Sequence, residues 1–177
     1  MANLQPFKPI FSVALYSANI DVVGNHLSGL LLIKKMPDST VRMVFSNEMG
    51  FKFFDFEFSP DGGFKVYSVY KKMNRKAVLK TLRHDFELLL MQPLNGQDLS
   101  VRSDSLGNRY YIFPKENGYY CYVLDPQGKG LIRMERSSKQ KPIATAIMEQ
   151  YTNGIPDTIG FTHHKVDFVI GLKRLER

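Results

Sequence analysis

Residues 42–58 read RMVFSNEMGFKFFDFEF, and the alternation inside that stretch decides the fold class. Val41, Met43 and Phe45 alternate with Arg42, Val44 and Ser46, so one side of the run is wholly apolar, the period of two expected of a strand with a buried face. The second run repeats the device, with Phe54, Phe56 and Phe58 on one face and Phe53, Asp55 and Glu57 on the other. Asn47-Glu48-Met49-Gly50 lies between them and supplies Asn and Gly, residues that tolerate positive φ, so a hairpin connection is predicted. Met49 then falls at a loop tip, where a large flexible apolar side chain has no core to enter.

Working outward, strands are predicted upstream over 10–20 and 26–35, the second centred on the apolar run Gly29-Leu30-Leu31-Leu32-Ile33, and downstream over 64–70. The period then changes. From Asn74, a predicted N-cap, Ala77, Val78, Leu79, Leu82, Phe86, Leu89 and Leu90 recur at helical spacing to about residue 91, with Lys76, Lys80, Arg83 and Glu87 on the other side and Pro93 as the stop. Strands resume over 99–103, 108–113, 118–124, 130–136, 144–151, 155–161 and 166–175, punctuated by Leu106-Gly107-Asn108, Glu116-Asn117-Gly118, Asp125-Pro126-Gln127-Gly128 and Thr152-Asn153-Gly154. The reading is mainly β with one inserted helix: a single antiparallel sheet of about eleven or twelve strands, large enough to curl toward closure, its concave face filled by the helix. Residues 1–177 form one domain, with 1–8 a loose lead-in because Pro6 and Pro9 disfavour a helix there.

The chemistry-bearing residues converge poorly. No nucleophile elbow, zinc-helix, phosphate-loop or dinucleotide signature occurs, and the reading is of no enzyme, no cofactor and no metal. His163-His164 with Asp167 would be a metal pair only if adjacent strand residues shared a face, which they do not, so a solvated turn is expected. His84 reads as a residue at the helix boundary, and Ser28 has no base partner. Asp55 and Glu57 lie roughly 7 Å apart on one strand face, where an outward, solvated pair is expected. The lone Cys121, in Tyr119-Tyr120-Cys121-Tyr122, is a buried strand thiol by expectation. Net charge is +7, which suits anionic lipid, nucleic acid or an acidic partner. The basic clusters (Lys71, Lys72, Arg75, Lys76, Lys80, and Lys129, Arg133, Arg136, Lys139, Lys141) come without an RNA-binding aromatic–glycine signature, so no nucleic acid is expected. No apolar run is long enough for a helical membrane span, and no signal peptide is visible. A curved sheet lined by Phe and Leu under an amphipathic helix encloses apolar space, which is either packed solid or left open for a greasy ligand; periodicity does not separate the two.

The hairpin resembles a segment of the LolB-like outer-membrane lipoprotein receptors, of the LolA/LolB superfamily. There, Arg and apolar residues precede Thr/Ser-Asn-Pro-Leu-Gly and an alternating strand. Ser28-Gly29-Leu30-Leu31, the helix over 77–90, and Gly154-Ile155-Pro156 leading into 166–172 follow the same order of motifs. The resemblance implies an unclosed half-barrel with a helical lid and a cavity for the acyl chains of lipoproteins or other lipid. It further implies a monomer facing the periplasm, anchored to the outer membrane by a lipidated N-terminal cysteine and receiving cargo from a periplasmic carrier protein. Met49 stands where the family has the apolar hairpin-tip residue that helps deliver lipoproteins into the membrane, which makes it the expected membrane or transfer loop, and Glu48 replaces the family's Pro. Leu31, Ile33, Met43, Phe45, Phe54, Phe56, Leu79, Leu82 and Phe86 are the expected cavity-wall residues. The alternative is a structural or assembly protein of the envelope with a solidly packed barrel and no ligand.

Overall fold

The computed structural model describes residues 4–94 and 99–175. Five strands come first: β1 (Val13–Val22), β2 (Asn25–Lys35), β3 (Val41–Ser46), β4 (Lys52–Phe58) and β5 (Phe64–Val69). The helix α1 (Lys76–Leu89) follows, and then seven more strands: β6 (Ser100–Ser103), β7 (Arg109–Lys115), β8 (Gly118–Leu124), β9 (Leu131–Ser138), β10 (Pro142–Thr152), β11 (Ile155–His163) and β12 (Phe168–Arg174). All belong to one 12-stranded sheet in the order β5-β4-β3-β2-β1-β12-β11-β10-β9-β8-β7-β6. Two antiparallel meanders therefore meet where β1 pairs β12, and α1 carries the chain from one free edge, β5, to the other, β6.

The helix shows that the sheet is rolled. The Phe86 ring lies 5.8 Å from that of Phe54 on β4, while the next residue, Glu87, accepts a hydrogen bond from Tyr120 on β8. Strands β4 and β8 are eight places apart in the sheet, which on a flat sheet would separate them by roughly 38 Å at the usual interstrand spacing. Two adjacent residues of one helix touch both only if the sheet curls around it. The right-handed twist of successive strands produces such a curl, and the unpaired edges leave it an unclosed half-barrel with a helical lid.

The apolar stripe Val78, Leu82, Phe86 and Leu89 is buried against the concave face, at the spacing that puts one side of a helix on a core. The expected N-cap at Asn74 is corrected: a 3-10 turn, Lys71–Met73, comes first, Asn74 closes that turn, and Arg75 precedes α1 in extended conformation with no side-chain cap. The lead-in also departs from expectation, since Pro6 starts a short 3-10 turn, Gln5–Phe7, and Leu4 beside it is fully buried. In the central hairpin Gly50 takes positive φ (87°). Asn47 instead serves as an acceptor, its Oδ1 receiving the backbone N–H of Met49 at 3.0 Å and of Phe51 at 2.8 Å. A bulge at that end of the β3–β4 ladder sets Phe45 opposite Phe54 and Ser46 opposite Lys52. The extra residue, Phe53, is turned inward and its ring reaches Phe45 at 4.8 Å.

Gly29 on β2 marks a close approach of two strands, because a Cβ there would lie 2.1 Å from the Ser46 carbonyl oxygen. Gly29→Ala is expected to lower stability by about 1–3 kcal/mol, since backbone must move to admit the methyl. Thermal unfolding followed by circular dichroism measures this, and an unchanged midpoint would show that β2 and β3 are not held so tightly.

Candidate functional site

Eight of the nine expected wall residues come together. Cross-strand pairing sets Leu31, Phe45 and Phe54 in one row and Ile33, Met43 and Phe56 in the next, so β2, β3 and β4 present two ranks of apolar side chains to the helix. Leu82 and Phe86 sit on them, and all eight are at 0% exposure. Phe54 and Phe56 stack at 4.3 Å and 7°; Phe86 meets Phe58 edge-on at 6.2 Å. Leu79 stands apart. It is half-buried and borders a cleft on the flank of α1.

That cleft, about 730 Å³, opens between α1, the β4–β5 turn and the β7–β8 turn. Polar groups line its α1 side in a connected chain. Arg83 Nε donates to Glu87 Oε1 at 2.8 Å and its Nη2 donates to the Gly62 carbonyl at 3.0 Å. Tyr120 Oη donates to Glu87 Oε2 at 2.9 Å, and His84 Nδ1 lies 2.6 Å from the same Tyr120 oxygen. Burial raises the Glu87 carboxyl, but the bonds from His84, Arg83 and Tyr120 outweigh it and hold it at about 2. Burial and the Glu87 charge push the Tyr120 hydroxyl well above its ordinary range.

A second polar group lies beneath the first. Asp85, fully buried, meets His163 Nε2 at 2.7 Å and Arg136 Nη2 at 3.4 Å. The expected solvated turn at His163 is thereby corrected: His163 ends β11, is buried, and packs its ring tilted against Phe168 at 4.8 Å. Only His164 is exposed, bonded to Thr145. Arg136 Nε is buried with no hydrogen-bond partner. These partners lie 51 and 78 residues from Asp85, so no local pattern announces them; the apolar period of α1 marked its core side and left Asp85 unassigned. Arg83 and Glu87, expected together on the polar side of α1, pair at i, i+4, but Glu87 is buried.

The remaining candidates do not converge. Asp55 is buried rather than solvated, clamped by Arg42 Nη2 at 2.7 and 2.8 Å with Lys52 at 3.3 Å, while Glu57 accepts from Tyr67 at 3.1 Å. Each carboxylate of that pair has its own partner. Burial pushes the Cys121 thiol up to about 12, which leaves it unreactive at neutral pH. Among the described residues no three His, Cys, Asp or Glu gather as a metal would need.

At the hairpin tip Met49 is 94% exposed. Behind it Phe51, half exposed, packs edge-on against Tyr70 at 5.3 Å and Phe53 at 5.6 Å, and Lys52, Lys71 and Lys72 are exposed around this group. The β3–β4 tip and the cleft, which borders the β4–β5 turn, lie at opposite ends of β4.

The fold and these sites define a class: an unclosed antiparallel half-barrel closed over by one helix. No protein-family model and no curated protein matches the chain. Several solved structures match the chain, among them two of the same fold. One is a domain provisionally assigned as an outer membrane lipoprotein-sorting protein from Vibrio parahaemolyticus, with 10% identity, 99% of this chain and 88% of that one covered, and a TM-score of 0.51. The other is a DUF1329 family protein from Desulfovibrio piger, with 10% identity, the same coverages and a TM-score of 0.52. Both agree at the level of fold with the LolA/LolB-like resemblance. Among the described residues no helix is long and apolar enough to cross a membrane.

A carboxyl depressed from 4.5 to about 2 stabilises the fold fully above its unfolded value and ceases to as pH falls through the folded one. Urea unfolding between pH 4.5 and 2 is therefore expected to show a steeper loss for the wild type than for Glu87→Gln. Parallel slopes would mean that Glu87 carries no acid-sensitive share.

Proposed function

We propose that the protein is a non-enzymatic lipid- or lipoprotein-handling protein of the bacterial envelope, placed in the periplasm at the outer membrane. Acyl chains are its ligand, a periplasmic carrier its supplier, and the Met49 tip its contact with the membrane surface. The observation that carries this reading is the pair of apolar rows on β2, β3 and β4 covered by a single helix. Those rows are a continuous greasy surface on the concave side, and Leu82 and Phe86 of α1 are buried with them.

With the rows at 0% exposure, an acyl chain enters by exchange, replacing contacts that Leu82 and Phe86 now make. Each CH₂ buried is worth about 0.8 kcal/mol, so a long chain gains on the order of 10 kcal/mol, comparable with the contacts it displaces. Near-equal exchange suits a protein that must also release its cargo. The support from relatives is that of fold, one neighbour being assigned to lipoprotein sorting.

The zero exposure of the same rows favours a second reading, a structural or assembly protein whose barrel is permanently packed. Displacement of a fluorescent fatty acid separates the two: the first expects saturable binding that Phe86→Ala alters, the second none at all. At the tip, Met49→Glu is expected to weaken association with anionic vesicles several-fold and leave the circular dichroism spectrum unchanged, because it replaces an apolar side chain that can enter the headgroup layer with a charge that lipid repels. Sedimentation with vesicles measures it, and equal partitioning of variant and wild type would remove the membrane role of this loop.

A further inference from the structure

The cleft on the flank of α1 holds more positive charge than its own structure uses. Arg83 is committed to Glu87 and Arg136 reaches Asp85, but Lys76, Lys80 and Lys115 border the same space. Among the described residues none of these three lysines has a carboxylate within salt-bridge distance. Of the acids that border the cleft, Glu87 is engaged by Arg83 and Tyr120 and Asp61 by the Gly63 backbone N–H; Glu116, exposed on the β7–β8 turn, is one carboxylate against the three lysines. Lys115 Nζ is held 5.0 Å from the centre of the Tyr120 ring, which fixes one of the free charges over the cleft wall.

Two further observations add to the positive character of the cleft. Arg136 borders the cleft with its side chain 12% exposed, and its buried Nε meets no acceptor. Buried guanidinium donors are normally all satisfied. In addition, α1 starts with Lys76, without a side-chain cap and without an acid in its first turn, so the positive end of the helix dipole is reinforced instead of neutralised.

We propose that this cleft binds an oxyanion, a phosphate or carboxylate, carried as the head group of a small amphiphile. Lys80, Lys115 and Arg136 take the charge, and a short apolar portion lies on Phe64, Leu79 and Ile143. The volume of about 730 Å³ is in the range of small-ligand pockets, and the cleft is shared between charged and apolar side chains as an amphiphile requires. The site lies outside the buried rows of β2, β3 and β4, so it stands whether or not an acyl chain enters beneath α1. The same oxyanion is available as free phosphate, and the two sources are distinguishable by experiment.

Isothermal titration of the whole chain compares inorganic phosphate, dihexanoyl phosphatidylglycerol and dihexanoyl phosphatidylcholine, each as monomers in solution. Phosphatidylglycerol is expected to bind one-to-one, at least about tenfold tighter than phosphatidylcholine, with an affinity that falls as salt rises. Lys80→Glu combined with Lys115→Glu is expected to weaken it at least about tenfold, whereas Lys34→Glu, on exposed β2 surface, leaves it unchanged. Phosphate binding as tightly as phosphatidylglycerol would overturn the head-group assignment in favour of the free anion. Equal binding of the two lipids, no saturable binding of phosphatidylglycerol, or wild-type affinity in the double variant would overturn the site itself. Fatty-acid displacement from the interior is unaffected by these lysine changes, so failure here and failure of the acyl-chain reading are read separately.

Discussion

Two consecutive helix residues hold the architecture together. Phe86 faces the aromatic wall of β4 and Glu87 faces Tyr120 of β8, and a sheet of twelve strands satisfies both only by rolling around α1. The topology serves that constraint. Each meander is built from short local connections, and the long connection between the two free edges is the helix itself. The edges are left open but guarded, as free strands must be. β6 has only four residues. β5 carries Lys65 and a bulge at Tyr67, whose ring lies under the Arg42 guanidinium at 3.9 Å.

Much of this was legible because strand and helix periods are local properties. The Phe54, Phe56 and Phe58 alternation gave its face correctly, since a half-buried strand requires it, and the helical stripe through Leu82 and Phe86 predicted the core side of α1. What the sequence hid was set by partners far along the chain. Asp85 looks like a surface residue of an amphipathic helix until His163 and Arg136 arrive from β11 and β9. Asp55 looks solvated until Arg42 on the neighbouring strand folds over it. Phe53 sits on the polar face by simple alternation, and only the bulge turns it inward. The start of α1 was misplaced because Asn74 has the chemistry of an N-cap while the preceding 3-10 turn claims it.

The helix is thus seated by two different kinds of contact. Toward β2, β3 and β4 it meets aromatic and aliphatic side chains, a surface that tolerates substitution by any hydrocarbon of suitable volume. Toward β8, β9 and β11 it is held by the Glu87–Tyr120–His84 chain and by Asp85 between His163 and Arg136, where geometry is directional. Buried ion pairs add little net stability, because desolvation offsets most of the attraction, but breaking one is costly. The polar side therefore fixes where α1 sits, and the apolar side supplies most of the burial. The acyl-chain binding proposed above requires α1 to leave the apolar rows; a pivot about β8, β9 and β11 would keep most of these directional bonds and break the one from Arg83 to the Gly62 carbonyl.

That pivot orders the surfaces around it. It would open the rows of β2, β3 and β4, whereas the lysine-bordered cleft, framed by α1, the β4–β5 turn and the β7–β8 turn, is open already. The hairpin tip belongs to neither, since β4 carries Met49 at one end and the turn bordering the cleft at the other. The proposed membrane contact rests there on an exposed Met49 and a half-exposed Phe51 backed by Tyr70, with Lys71 and Lys72, which follow Tyr70, exposed. If the tip enters a headgroup layer, as proposed, the cleft at the other end of β4 is turned away from the bilayer and stays open to solution.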